Sequence, residues 1–130
     1  EVLYEASEIL LLAVGSMVKT ALTVREQLKE KGYSCSLINA RFVKPFDEEL
    51  LLKLQKNHKL LVTLEENVQS GGFGEHVLEF MNTSGDGSME VLNIAIPDVY
   101  VEHGNVELLR KETGIDADGI IGKIIDRKAQ

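Results

Sequence analysis

Glu65 and Glu66 stand side by side at the end of an apolar run, and the segment LEENVQSGGFGEHV, residues 64–77, carries them into a glycine cluster and then a helix start. Paired carboxylates are the residue types of general acid and base work. Consecutive residues of an extended chain, however, point to opposite sides of a sheet. The two therefore make a poor dyad, and one of them is expected to hydrogen-bond N–H groups of the neighbouring loop. The cluster Ser70-Gly71-Gly72-Phe73-Gly74 has the means to cradle an anion at a helix N-terminus. It is neither the dinucleotide fingerprint nor a phosphate loop with its lysine. A tight strand-to-helix connection accounts for Gly72 and Gly74, with Phe73 as a core plug.

Two cations accompany the carboxylates. Arg41 and Lys44 lie in NARFVKPFDEELL, residues 39–51. A guanidinium there can receive a phosphate or carboxylate, but a pair with Glu65 or Glu66 from an adjacent strand end is the favoured reading. The three histidines differ by setting. His58, between Asn57 and Lys59 in a helix-to-strand loop, reads as solvated. His76 falls in the first turns of a helix, where the dipole disfavours positive charge. His103, near Asp98 and Glu102, is the one histidine that invites metal binding or proton transfer, on a signal of low specificity. Gly85-Asp86-Gly87 has the form that opens the magnesium segment of thiamine-diphosphate enzymes. No Asn follows at the separation such a segment needs, so an ordinary turn is expected.

The elements that must position these groups follow from pattern. Glu8 to Val14 is a continuous apolar run ended by Gly15-Ser16, as in a strand covered on both faces. Ser16 is the expected cap of a helix carrying Met17, Ala21, Val24 and Leu28, stopped by Gly32. Tyr33 to Asn39 reads as the next strand. Pro45 and Asp47 introduce a helix with Leu50, Leu51 and Leu54. Leu60 to Leu64 is the third buried strand, and the helix after the glycines carries Val77, Leu78 and Met81. Val91 to Ile96 is a further strand. Beyond Pro97 come a loop and two short helices capped by Asn105 and Asp116, the last with Ile120, Ile121, Ile124 and Ile125 on one face. Val2 to Tyr4 reads as an extra strand paired as an antiparallel hairpin. Alternating strands and helices call for right-handed crossovers and a three-layer α/β/α sheet. Ligands of such sheets gather at the strands' carboxyl ends. That edge unites Gly15-Ser16, residues 39–44 and residues 65–74.

Composition narrows the partners. The 130 residues, 44% of them apolar, suit one globular domain, and a net charge of −7 with interspersed signs speaks against nucleic acid and anionic membranes. No run approaches the length of a membrane span. The single cysteine, Cys35, lies in an apolar run and reads as a buried thiol in a reducing cytoplasm. A start at Glu1 without Met reads as a piece of a longer protein.

LLAVGSMVKTA (11–21), NARFVKPFDEELL (39–51), LEENVQSGGFGEHV (64–77) and IPDVYVEHGNVELL (96–109), in this order and spacing, closely resemble the C-terminal domain of 1-deoxy-D-xylulose-5-phosphate synthase. Transketolase and 2-oxoacid dehydrogenase beta subunits share the pattern more loosely. The resemblance covers nearly the whole chain and implies a five-stranded mixed sheet, mostly parallel, with an antiparallel first strand. It implies a parent enzyme that joins pyruvate and glyceraldehyde 3-phosphate, with loss of carbon dioxide, at thiamine diphosphate and magnesium. In that family two preceding domains hold the cofactor and substrates, and the third packs against them and supports a homodimer. This chain would then hold no catalytic, cofactor-binding or metal residue of its own. Its sheet edge, with Ser16, Arg41, Lys44, Glu65, Glu66, Gly72, Gly74 and His103, would serve anion binding or domain contact. Two other readings stand beside this one: a small-anion-binding regulatory module, and the corresponding domain of a 2-oxoacid dehydrogenase beta subunit.

Overall fold

The computed structural model describes residues 2–4, 6–15, 17–40, 48–66, 72–96 and 116–129. Strands are β1 (Val2–Tyr4), β2 (Glu8–Ala13), β3 (Cys35–Asn39), β4 (His58–Glu66) and β5 (Glu90–Ile96). Helices are α1 (Met17–Glu30), α2 (Glu48–Leu54), α3 (Phe73–Ser84) and α4 (Ala117–Ala129). The sheet has the order β1-β3-β2-β4-β5, with β1 antiparallel to β3 and every other pairing parallel. The three-layer α/β expectation and the antiparallel first strand both hold.

Period-two alternation along β2 explains the layers. Ile9, Leu11 and Ala13 enter one buried cluster with Met17, Ala21, Val24 and Leu28 of α1 and Ile120, Ile121 and Ile124 of α4. Leu10 and Leu12 enter another with Leu51 and Leu54 of α2 and Phe73, Val77 and Met81 of α3. Both faces of the strand are thus apolar because helices cover both. Helix α1 buries the four residues its spacing singles out and ends in a Schellman motif. Gly32 takes φ +93, the Tyr33 N–H donates to the Leu28 carbonyl, and the Gly32 N–H donates to that of Lys29. This motif takes up Tyr33, so β3 starts at Cys35 rather than Tyr33. Asp116 caps α4, its Oδ1 accepting the Gly119 N–H at 3.0 Å. The expected caps Ser16, Asp47 and Asn105 lie outside the described residues, as does the first of the two short helices expected after Pro97.

Three expectations change. The hairpin partner of β1 is not β2, whose two edges are already taken by β3 and β4; β1 reaches past it to pair with β3. Leu78, expected among the apolar positions of α3, faces solvent while Val77 and Met81 are buried. His58, expected in solvent, is 2% exposed. Its Nδ1 lies 2.8 Å from the Leu54 carbonyl and its Nε2 lies 2.7 Å from Ser36 Oγ. The carbonyl can only accept, so Nδ1 carries the proton and Ser36 donates to Nε2. Flanking Asn57 and Lys59 are exposed; β4 begins two residues earlier than the apolar run suggests and draws His58 inward.

Candidate functional site

At the carboxyl end of β4, residues two apart share a face, so Leu61, Thr63 and Glu65 turn towards α2 and α3. Thr63 and Glu65 are both buried. Strand pairing sets Thr63 opposite Asn93 of β5, and the Thr63 hydroxyl donates to Asn93 Oδ1 at 2.7 Å. Glu65 Oε2 accepts the backbone N–H of Gly74, in the first turn of α3.

That bond supplies what the helix lacks. A helix leaves its first N–H groups unpaired, and a side chain at the N-cap normally accepts one. Here the N-cap is Gly72, which has no side chain to offer and sits in the left-handed region at φ 82, ψ 34. The acceptor comes from the adjacent strand instead. A carboxylate near the positive end of the helix dipole makes this a charge-assisted bond. One of the adjacent glutamates therefore does take a structural role, accepting an N–H of the glycine segment.

Gly74 has a separate reason to be glycine. A Cβ built there would lie 2.7 Å from Thr63 Oγ1 and 2.9 Å from both Cγ and Oδ1 of Asn93. The first turn of α3 rests directly on the Thr63–Asn93 pair, and only a hydrogen fits between them. Phe73, the expected plug, is fully buried beside it.

Among the eight edge residues singled out from sequence, the fold joins Glu65 to Gly74, with Gly72 as the N-cap two residues before it. Glu66 closes β4 opposite Ile96. Its side chain, and the residues Ser16, Arg41, Lys44 and His103, lie outside the described residues, and with them the expected Arg41 ion pair. Thr63 and Asn93 went unnoticed in the sequence. The available signal was a lone hydroxyl at position 63 in an apolar run, two residues before Glu65 and so on its face.

Elsewhere the polar groups are used for structure. Asp86 Oδ1 accepts the Ser88 N–H at 2.9 Å, and the Asp86 N–H donates to Gln55 Oε1 at 3.0 Å. Gly87 takes φ +81, which makes the Gly-Asp-Gly segment an Asx-type turn. Hydrogen bonds from Ser88 hold the Asp86 carboxyl below its ordinary range. No group of three or more His, Cys, Asp or Glu side chains among the described residues is placed to hold a metal ion. Burial pushes the Cys35 thiol from 9.0 up to about 12, with Arg25 opposing the shift.

Strand order and layering define an α/β domain with helices on both faces of a mostly parallel sheet. The family described as "Transketolase, C-terminal domain" matches residues 1–120, and the chain belongs to it. Its curated relatives include 1-deoxy-D-xylulose-5-phosphate synthases. It is 48% identical over 124 residues to the synthase of Lachnoclostridium phytofermentans, covering 95% of this chain and 20% of that protein. It is 43% identical over 130 residues to that of Dehalococcoides mccartyi strain 195, covering 99% and 20%. Over 120 residues it is 43% identical to that of Aquifex aeolicus, covering 92% and 19%. The chain thus spans a fifth of the length of these relatives, 20% in the first two. Among solved structures, a split-gene transketolase described as an inactive β4 tetramer superposes with a TM-score of 0.83 at 25% identity, covering 97% of this chain and 41% of that one. A transketolase variant from Pichia stipitis, at 14% identity and a TM-score of 0.61, shares the fold over 96% of this chain and 17% of that one.

Proposed function

We propose that residues 1–130 are a single domain, the third and C-terminal one of a 1-deoxy-D-xylulose-5-phosphate synthase, and that it works by packing and support rather than by turnover. The parent condenses pyruvate with glyceraldehyde 3-phosphate and releases carbon dioxide, supplying isoprenoid and thiamine synthesis. Thiamine diphosphate and magnesium belong to the two preceding domains, and the parent is a cytoplasmic homodimer. No described helix is long and apolar enough to cross a membrane, which accords with that setting.

The observation that carries this reading is similarity along nearly the whole chain to a fifth of each synthase. The geometry supports it. Among the described residues, Glu65 at the candidate edge caps α3, and away from that edge Asp86 closes a turn. Glu65 also speaks against an anion site at the glycine segment, because its carboxylate already occupies the first turn of the helix. Remaining surface then serves the neighbouring domains, as contacts between domains usually do.

The test is direct. The purified chain is incubated with pyruvate, glyceraldehyde 3-phosphate, thiamine diphosphate and magnesium, and carbon dioxide and 1-deoxy-D-xylulose 5-phosphate are measured. No product above the protein-free control is expected, and turnover by this chain refutes the proposal.

A further inference from the structure

A cavity of about 540 Å³ opens at the amino end of the sheet, opposite to the edge where ligands of such sheets ordinarily gather. Its volume is that of a small-molecule site. It lies where Glu8 of β2 pairs with His58 of β4, beside the turn that follows α2, and Ser7, Gln55, Lys56, Asn57 and Lys59 line it with them.

The lining is weighted towards donors. Gln55 is 9% exposed, and its amide has a fixed orientation, because the Asp86 N–H can only donate and so takes Oε1, at 3.0 Å. Nε2 is left with two N–H groups, and no described residue accepts from them. Buried donors are almost always answered, so this one calls for an acceptor from outside the chain. Lys56 and Lys59 are exposed and form no ion pair among the described residues, although the charge of Lys56 is within reach of Asp86. The one carboxylate in the lining, Glu8, is held by Lys128 at 3.6 Å. Both ring nitrogens of His58 are taken, by Ser36 and by the Leu54 carbonyl. Oxygens are too few here for a divalent cation, and the walls are too polar for an apolar guest. What suits the cavity is a compact acceptor with negative charge.

We propose that this cavity binds a phosphate dianion, free or carried by a small metabolite, on Gln55 Nε2 and the ammonium groups of Lys56 and Lys59. Ser7 and Asn57 are then at hand for hydroxyl groups of the carrier. The site is separate from the carboxyl edge, and it depends on this chain's own residues whatever the parent enzyme is.

Amide NMR of the full 130-residue chain at constant ionic strength, titrated with inorganic phosphate, glycerol 3-phosphate and uncharged glycerol, tests it. Both phosphates are expected to shift the Gln55 side-chain NH₂ and the backbone amides of Ser7, Lys56 and Lys59, saturating with a dissociation constant of about 1 mM, and glycerol to shift none. Tighter binding of glycerol 3-phosphate assigns the site to a metabolite, and equal binding assigns it to free phosphate. Gln55→Glu keeps an acceptor for the Asp86 N–H and sets a carboxylate oxygen in place of Nε2. It is expected to weaken binding by about tenfold, the scale of one lost charge-assisted hydrogen bond. Lys59→Met, at an exposed position, is expected to weaken it by about threefold, and Lys19→Met, exposed on α1, to leave it unchanged. Silent spectra well above the expected dissociation constant overturn the proposal, as do shifts spread over lysines throughout the chain, or a folded Gln55→Glu that binds as tightly as the parent sequence. If Gln55→Glu fails to fold, Lys59→Met against Lys19→Met decides by the same criterion.

Discussion

Glu65 gains its role from two neighbours that are glycines. Gly72 cannot cap α3, Gly74 lets the helix come down onto β4, and the carboxylate meets an N–H that would otherwise be buried and unpaired. Glu65→Ala is expected to destabilise the domain by about 2–3 kcal/mol, the cost of orphaning a buried donor in a charge-assisted bond. Glu65→Gln keeps an acceptor and should lose only about 1 kcal/mol. Urea denaturation of both variants checks the order. Gly74→Ala fails for a steric reason, forcing a Cβ within 3 Å of Thr63 and Asn93, and is expected to cost about 1–3 kcal/mol in the same assay. Asp86 differs in being fully exposed. Because hydrogen bonds from Ser88 lower its folded-state pKa, the turn it closes is intact above the usual carboxylate range. Its contribution is lost as pH falls through the lowered value. A carboxyl-carbon NMR titration should give Asp86 a midpoint below that of the same residue in Ser88→Ala.

At the scale of elements, legibility followed periodicity. Met17, Ala21, Val24 and Leu28 recur at helical spacing and are all fully buried, and Asp116 caps the helix it precedes. These features are local, so sequence carries them. Asp116→Ala is accordingly expected to cost about 1 kcal/mol and to lower the melting temperature of the domain, measured by circular dichroism. Non-local features were harder to read. His58 looked solvated because its sequence neighbours are polar, yet its partners Ser36 and Leu54 belong to other elements. The pairing of β1 with β3 rather than β2 is likewise a decision of topology, since both choices are antiparallel edge strands in the sequence. That one of the two adjacent glutamates would accept an N–H of the glycine segment was legible, but that the N–H belongs to Gly74, nine residues on and inside α3, was not. Cys35 was legible as a buried thiol, and its ionisation is pushed up to about 12. It should resist alkylation at pH 8 in the native chain and react fully in guanidinium.

At the scale of the molecule, five strands between two helical layers make a closed unit whose described polar groups largely hold one another. Such a unit is suited to support a site elsewhere in a longer chain. The fold class was readable from the alternation of strands and helices, and the five-stranded mixed sheet from the motif order that carries the resemblance. Which edge residues would be consumed by the fold was not, since it depends on contacts between strands and helices distant in sequence. The central claim is that this domain completes an enzyme without carrying its chemistry. The most direct measurement is turnover of pyruvate and glyceraldehyde 3-phosphate by the parent synthase lacking these residues, with and without the 130-residue chain added back. The account predicts a large loss on truncation and recovery on addition, with the chain inert alone; an undiminished truncated parent, or product from the chain by itself, would contradict it.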